Sequence, residues 1–111
     1  MSGAHAMNQQ DYNIASEIKS RLAEFLRVVD FRVFGSRSRG DQDLYSDMDI
    51  FIEVESLTPE QKDRIYDVTW NVGYNHAIVV SPIICTRFEI EQSPLRASPL
   101  LKNIFSQGVR V

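Results

Sequence analysis

Apolar residues between Asp11 and Val29 fall at Ile14, Ile18, Leu22, Phe25, Leu26 and Val29, the spacing of one helical face. This spacing predicts an amphipathic helix over the whole stretch. "DFRVFG" then reads as a short strand from Phe31 to Phe34, stopped by Gly35. "SRSRGDQDLYS" holds too few apolar residues for a strand and could open with a short helix at Ser36. In "DMDIFIEVE" the period drops to two. Met48, Ile50, Ile52 and Val54 share one face there, and Asp47, Asp49, Phe51 and Glu53 share the other.

Further along, Thr58 as N-cap, Pro59 at the first helical position and Gln61 closing a capping box open a second long helix. Ile65, Val68, Thr69 and Val72 form its inner face, and Gly73 is expected to end it. "HAIVVSPIIC" reads as a third strand whose Pro82 confines it to a sheet edge or a bulge. Ser98 before Pro99 caps a last helix carrying Leu100, Leu101, Ile104 and Phe105. Gly108 stops that helix, and "VRV" is expected as a terminal edge strand. The order is α-β-α-β-α-β-α, without repeats or low-complexity segments.

Composition narrows this picture. At 111 residues and 43% hydrophobic the chain has the size of one domain with one core. Twelve basic against fifteen acidic residues leave a net charge of −3 and a pI near 5.3. That balance argues against a broad nucleic-acid surface, while leaving room for the few cations one nucleotide needs. Cys85 is the only cysteine, so no internal disulfide can form and a reducing, cytoplasmic setting is expected. Lying inside "AIVVSPIIC", it reads as a packing residue. No apolar run approaches the length of a membrane span, so no membrane partner is expected. Residues 1–6, "MSGAHA", look like an expression-tag remnant in which His5 carries no meaning, leaving residues 7–111 as the domain.

The chemistry concentrates in "FGSRSRGDQDLYSDMDIFIEV". A strand that ends in Gly35-Ser36 and turns into a helix offers backbone N–H groups and a hydroxyl to an anion. Alone, such a turn is more often an ordinary serine cap. Downstream, Asp47 and Asp49 leave the same strand face with Cα atoms about 6.6 Å apart. Carboxylates so placed can share Mg²⁺, a hard cation that keeps positions for water and phosphate oxygens. Asp41 and Asp43, beside Gly40, have turn composition instead.

Gly35-Ser36, ten residues, then Asp47-x-Asp49 resembles the signature of the DNA polymerase beta-like nucleotidyltransferase superfamily. More narrowly, "FGSRSRGD" followed by "SDMDIFIEV" is similar to its minimal nucleotidyltransferase (MNT) group. The resemblance implies an α/β fold, a small mixed β-sheet with helices packed on one side. It implies that Gly35 and Ser36 hold nucleotide phosphates, helped by Arg37 or Arg39, and that Asp47 and Asp49 bind Mg²⁺ (or Mn²⁺) as the catalytic pair. The implied activity transfers AMP from ATP to a hydroxyl of a protein or other macromolecule. MNT proteins are often antitoxins paired with a small helical HEPN-domain toxin, so such a partner, or a homodimer, is the implied setting.

One feature departs from the pattern. Active members of the superfamily usually carry a third carboxylate on a following strand, and "AIVVSPIIC" has none; Ser81 or Pro82 stands where it is expected. Glu53 lies about 13 Å along its strand from Asp49, too far to share an ion. Glu89 and Glu91 read as residues of a solvated helix, and His76 as a surface residue. The alternative function is therefore a catalytically weak or inactive nucleotide-binding module acting by protein–protein contact. Tyr66 and Trp70, four residues apart and off the inner stripe of their helix, motivate it. Burial of both against the C-terminal helix is the competing expectation.

Overall fold

Asn8 starts the first helix, its side-chain oxygen accepting from the backbone N–H groups of Gln10 and Asp11. The computed structural model describes residues 7–40 and 46–111; the tag-like residues 1–6 and the turn residues Asp41 and Asp43 lie outside the described residues. Helix α1 runs from Gln9 to Leu22, shorter than the apolar pattern predicted. Phe25 and Leu26 continue the pattern from a turn and still pack on the core, whereas Val29 already belongs to strand β1, Val28–Phe34. β-branched residues favour that switch, and Val28 pairs with Val54 across the sheet.

A four-residue helix α2, Ser36–Arg39, follows Gly35 and ends at Gly40 in the left-handed conformation. Strand β2 spans Met48–Val54 and helix α3 Pro59–His76. The Thr58–Gln61 capping box is present in both directions. Gly73 does not end α3. The helix continues to His76 and is closed by Ala77 at φ 58°, while Ile78 N–H returns to the Gly73 carbonyl at 2.9 Å. Gly73 is needed for that close return, since a Cβ there would stand 2.7 Å from the Ile78 carbonyl oxygen.

Strand β3, Val80–Thr86, is followed by α4, Arg87–Gln92, a 3₁₀ turn at Pro94–Ala97, α5, Pro99–Gln107, and strand β4, Val109–Arg110. Ser98 caps α5 and Gly108 stops it. The sheet order is β3-β2-β1-β4, with β1 antiparallel to both β2 and β4 and β2 parallel to β3. This is the mixed α/β sheet the sequence implied. β3 is an edge, where Pro82 is tolerated.

Packing on the two faces differs. Met48, Ile50, Ile52 and Val54 of β2, with Phe31 and Val33 of β1, meet Ile14, Ile18 and Leu22 of α1 and Ile65, Val68 and Val72 of α3. The expected one-sided layer is this one. The C-terminal helix adds a smaller layer on the opposite face, where Leu101 and Ile104 cover Phe51 and Cys85. Phe51 is fully buried there, edge-on to Phe105 at 5.2 Å between ring centroids. Burying such a side chain contributes about 2–3 kcal/mol, enough to hold α5 down. Burial pushes the Cys85 thiol up, with Glu89 and Glu53 adding to it, as suits an inert packing cysteine. Among the described residues, no helix is long and apolar enough to cross a membrane.

Candidate active site

The antiparallel register sets Phe34 against Asp49, and the parallel register sets Asp49 beside Ser81. The end of β1, the start of β2 and the start of β3 therefore meet at one end of the sheet. α5 covers the same face farther along, over Phe51.

Gly35 occupies the turn at φ 75° and ψ −159°, a region essentially closed to other residues. A Cβ on it would lie 2.6 Å from Asp49 Oδ2. The glycine is required twice, by its backbone angle and by the carboxylate pressed against it. Ser38 locks the turn, its buried hydroxyl donating to the Gly35 carbonyl at 2.6 Å. Ser36 begins α2 immediately beyond.

Asp47 is exposed just before β2, and Asp49 is half-buried within it. Burial first, then the negative charge of Asp47, raises the Asp49 carboxyl above its ordinary value. Ser81 Oγ makes a long contact of 3.5 Å with Asp47 Oδ2. Ser81 thus stands where the third carboxylate was expected. Pro82, paired with Ile50, belongs to the opposite side of the strand and borders Tyr66 and Trp70. Among the described residues, no group of three or more His, Cys, Asp or Glu side chains gathers to hold a metal.

Among the described residues, the carboxylates weighed as substitutes lie elsewhere. Glu53 pairs with Asp30 at the far end of β2, and Glu89 closes a capping box on Thr86. His76 sits at the end of α3 with its Nε2 3.1 Å from Glu17 Oε1.

The two arginines of the loop part company. Arg39 is exposed on α2. Arg37 turns inward: Nη1 donates to Asp11 Oδ1 at 2.8 Å and Nε to the Ser46 carbonyl at 2.9 Å. Nothing in the sequence linked Asp11 to this place, and the only available signal was an acid in the first turn of α1, where a helix N-terminus favours one. Ser38 was equally unremarked, although a serine three residues past a turn glycine can bond back to it.

Two carboxylates on one face, mutually repelling and without a lysine or arginine ion pair among the described residues, fit a divalent cation with oxygen ligands. Residues 15–109 match the family described as Nucleotidyltransferase domain. The chain belongs to the nucleotidyltransferase family. Over 74 residues it is 35% identical to a Methanocaldococcus jannaschii protein provisionally named a protein adenylyltransferase, covering 64% of this chain and 75% of that one. A crystal structure from Sulfolobus solfataricus, described provisionally as a nucleotidyltransferase, superposes with a TM-score of 0.53 at 19% identity. It covers 91% of this chain and 78% of that one, a likeness of fold.

Proposed function

We propose that this nucleotidyltransferase domain is of the MNT kind and passes AMP from ATP to a hydroxyl of a protein, with Mg²⁺ or Mn²⁺ as cofactor. The contact of Asp49 with the Gly35 turn carries this reading, because it brings a phosphate-binding backbone and a cation-binding pair together. Gly35 and Ser36 receive the phosphates, and exposed Arg39 meets the charge of the triphosphate. Arg37, turned inward, is left out of that role. Asp47 and Asp49 hold the cation, which when bound neutralises charge on the phosphate oxygens. In the transfer, the acceptor oxygen bonds to the α-phosphorus, the bond from that phosphorus to the bridging oxygen breaks, and pyrophosphate leaves. Ser81 supplies no carboxylate to take the hydroxyl proton, so that task falls to another base, such as water or a group of the acceptor. Isothermal titration with a non-hydrolysable ATP analogue should show Mg²⁺-dependent binding that Asp47→Ala and Asp49→Ala each abolish. Equal affinity in all three proteins would refute the site.

A second reading, contact alone, is favoured by the outer face of α3. Trp70 is 73% exposed, Tyr74 74% and Tyr66 44%, so the expected burial of Tyr66 and Trp70 against the C-terminal helix does not occur. α5 lies on the other side of the sheet. Exposed aromatics suit a protein interface, with a small helical HEPN-type partner or a second copy as its occupant. Light scattering after size exclusion, with and without a co-expressed neighbour, tests this. A monomer in both settings would count against it, and a partner lost on Trp70→Ala would support it.

A further inference from the structure

Resting on the nucleotidyltransferase reading, we propose that Arg37 is a positioning residue, whose buried guanidinium, anchored on Asp11, fixes the Ser46–Asp47 backbone and so aims the cation-binding pair. A guanidinium in a loop after a glycine-serine turn would ordinarily be solvated. Here the side chains of Arg37 and Asp11 are 8% and 6% exposed. Burying such charges is costly and is tolerated only with close geometry. Asp11 is itself fixed, its backbone N–H held by the Asn8 side chain at 3.3 Å. Its Oδ2 is buried without a hydrogen-bond partner among the described residues.

A buried pair with one oxygen unsatisfied is a poor way to gain stability, since apolar replacements of such pairs are often neutral or better. What the pair does locally is more specific. The Arg37 fork divides between a carboxylate on α1 and the Ser46 carbonyl, one peptide before Asp47. Asp47 precedes the strand, so the sheet ladder first takes hold at Met48, whose N–H donates to the Val79 carbonyl at 2.8 Å. The peptide carrying Asp47 is thereby gripped on both sides, by Arg37 before it and by the Val79 carbonyl, just ahead of β3, after it. Lysine could not replace this, because a single ammonium lacks the rigid fork.

The test compares wild type with the double variant Asp11→Leu/Arg37→Met, which removes both charges together, and with Arg37→Lys. Three readouts are taken: melting temperature, amide hydrogen exchange across residues 46–50 without ligand, and the Mg²⁺ concentration giving half-maximal binding of the ATP analogue. The double variant should melt near wild type, exchange faster at residues 46–48 but not in β1, and need about tenfold more Mg²⁺. Wild-type exchange and an unshifted Mg²⁺ midpoint in the folded double variant would overturn the proposal. If the double variant does not fold, the same pair of readouts on Arg37→Lys decides in the same way. If wild type itself binds no analogue, the functional reading fails, and exchange alone then decides: faster exchange sustains the clamp and unchanged exchange refutes it.

Discussion

The sheet face that α5 partly covers carries an acid pair near each end of β2, and the two are managed differently. At one end, Asp30 lies across from Glu53. Asp30 receives Arg32 Nε at 3.1 Å and Arg110 Nε at 3.4 Å, and beside Glu53, whose carboxyl burial and Asp30 push up, Arg87 offsets part of the rise. At the other end, Asp47 and Asp49 repel each other beside a serine and a glycine turn. The protein supplies its own cations where the acids only hold structure. At the proposed site it sets the Gly35 turn against Asp49 instead and turns Arg37 onto Asp11. An acid pair therefore reads as a site through what surrounds it, since both pairs lie on the same face of the sheet.

Adding a carboxylate to the second pair should sharpen this contrast most. Ser81 lies beside Asp49 and touches Asp47, so Ser81→Asp places a third acid at the site, whereas Pro82 faces away. Transfer of labelled AMP to a co-expressed neighbour should rise about tenfold or more, the range of a positioned general base. Asp47→Ala should erase the gain, because the new acid works only beside the original pair. Undiminished transfer in Ser81→Asp/Asp47→Ala would show that the gain arises elsewhere. Fast transfer by wild type, with no gain in Ser81→Asp, would mean that the missing carboxylate is not missed.

Breaking the first pair should act on stability instead. Asp30→Ala leaves Arg32, largely buried, facing Arg110 without the carboxylate they share. The expected cost is about 1–3 kcal/mol, tempered because Arg32 keeps the Phe105 carbonyl and ring and Glu53 loses a repulsive neighbour. Asp47→Ala, by contrast, relieves repulsion and should leave the melting temperature unchanged or slightly raised without ligand. Thermal unfolding of both variants at pH 7 checks the pair. Equal losses would mean that the two ends are alike after all.

Much of this was legible beforehand. The caps at Thr58 and Ser98, the edge position of Pro82 and the juxtaposition of Gly35 with Asp49 follow from local rules or from one dense motif. What stayed hidden depended on distant partners. The apolar period ran past Leu22 because Phe25 and Leu26 pack on the core from a turn, and pattern registers burial rather than backbone shape. Arg37 looked like a phosphate ligand because its type suits phosphate, while its partner Asp11 lies 26 residues away. Phe51, apolar between Asp49 and Glu53 on a face otherwise charged, was the one mark of the layer formed by α5.

The smallest effect tests whether the structural pair is fully compensated. Burial first, then the charge of Asp30, raises the Glu53 carboxyl above its ordinary value; Arg87 opposes this, and Glu91 and Glu55 add to it. A carboxyl that holds its proton more tightly when folded contributes stability that is fully present below the ordinary carboxylate pKa. That contribution is lost as pH rises through the raised folded value. At pH 7 ionised Glu53 is therefore a net cost. Glu53→Gln keeps the size, removes the charge and should raise the melting temperature at pH 7 by a few degrees. The advantage should shrink as pH falls and vanish at about pH 3, well below the ordinary carboxylate value, where wild-type Glu53 is protonated in both states. Melting curves from pH ~3 to ~8 check the sign over the range in which ordinary and raised carboxyls titrate. A variant less stable than wild type at pH 7 would mean that Arg87 outweighs burial and Asp30 together, making Glu53 a stabilising partner of its arginine.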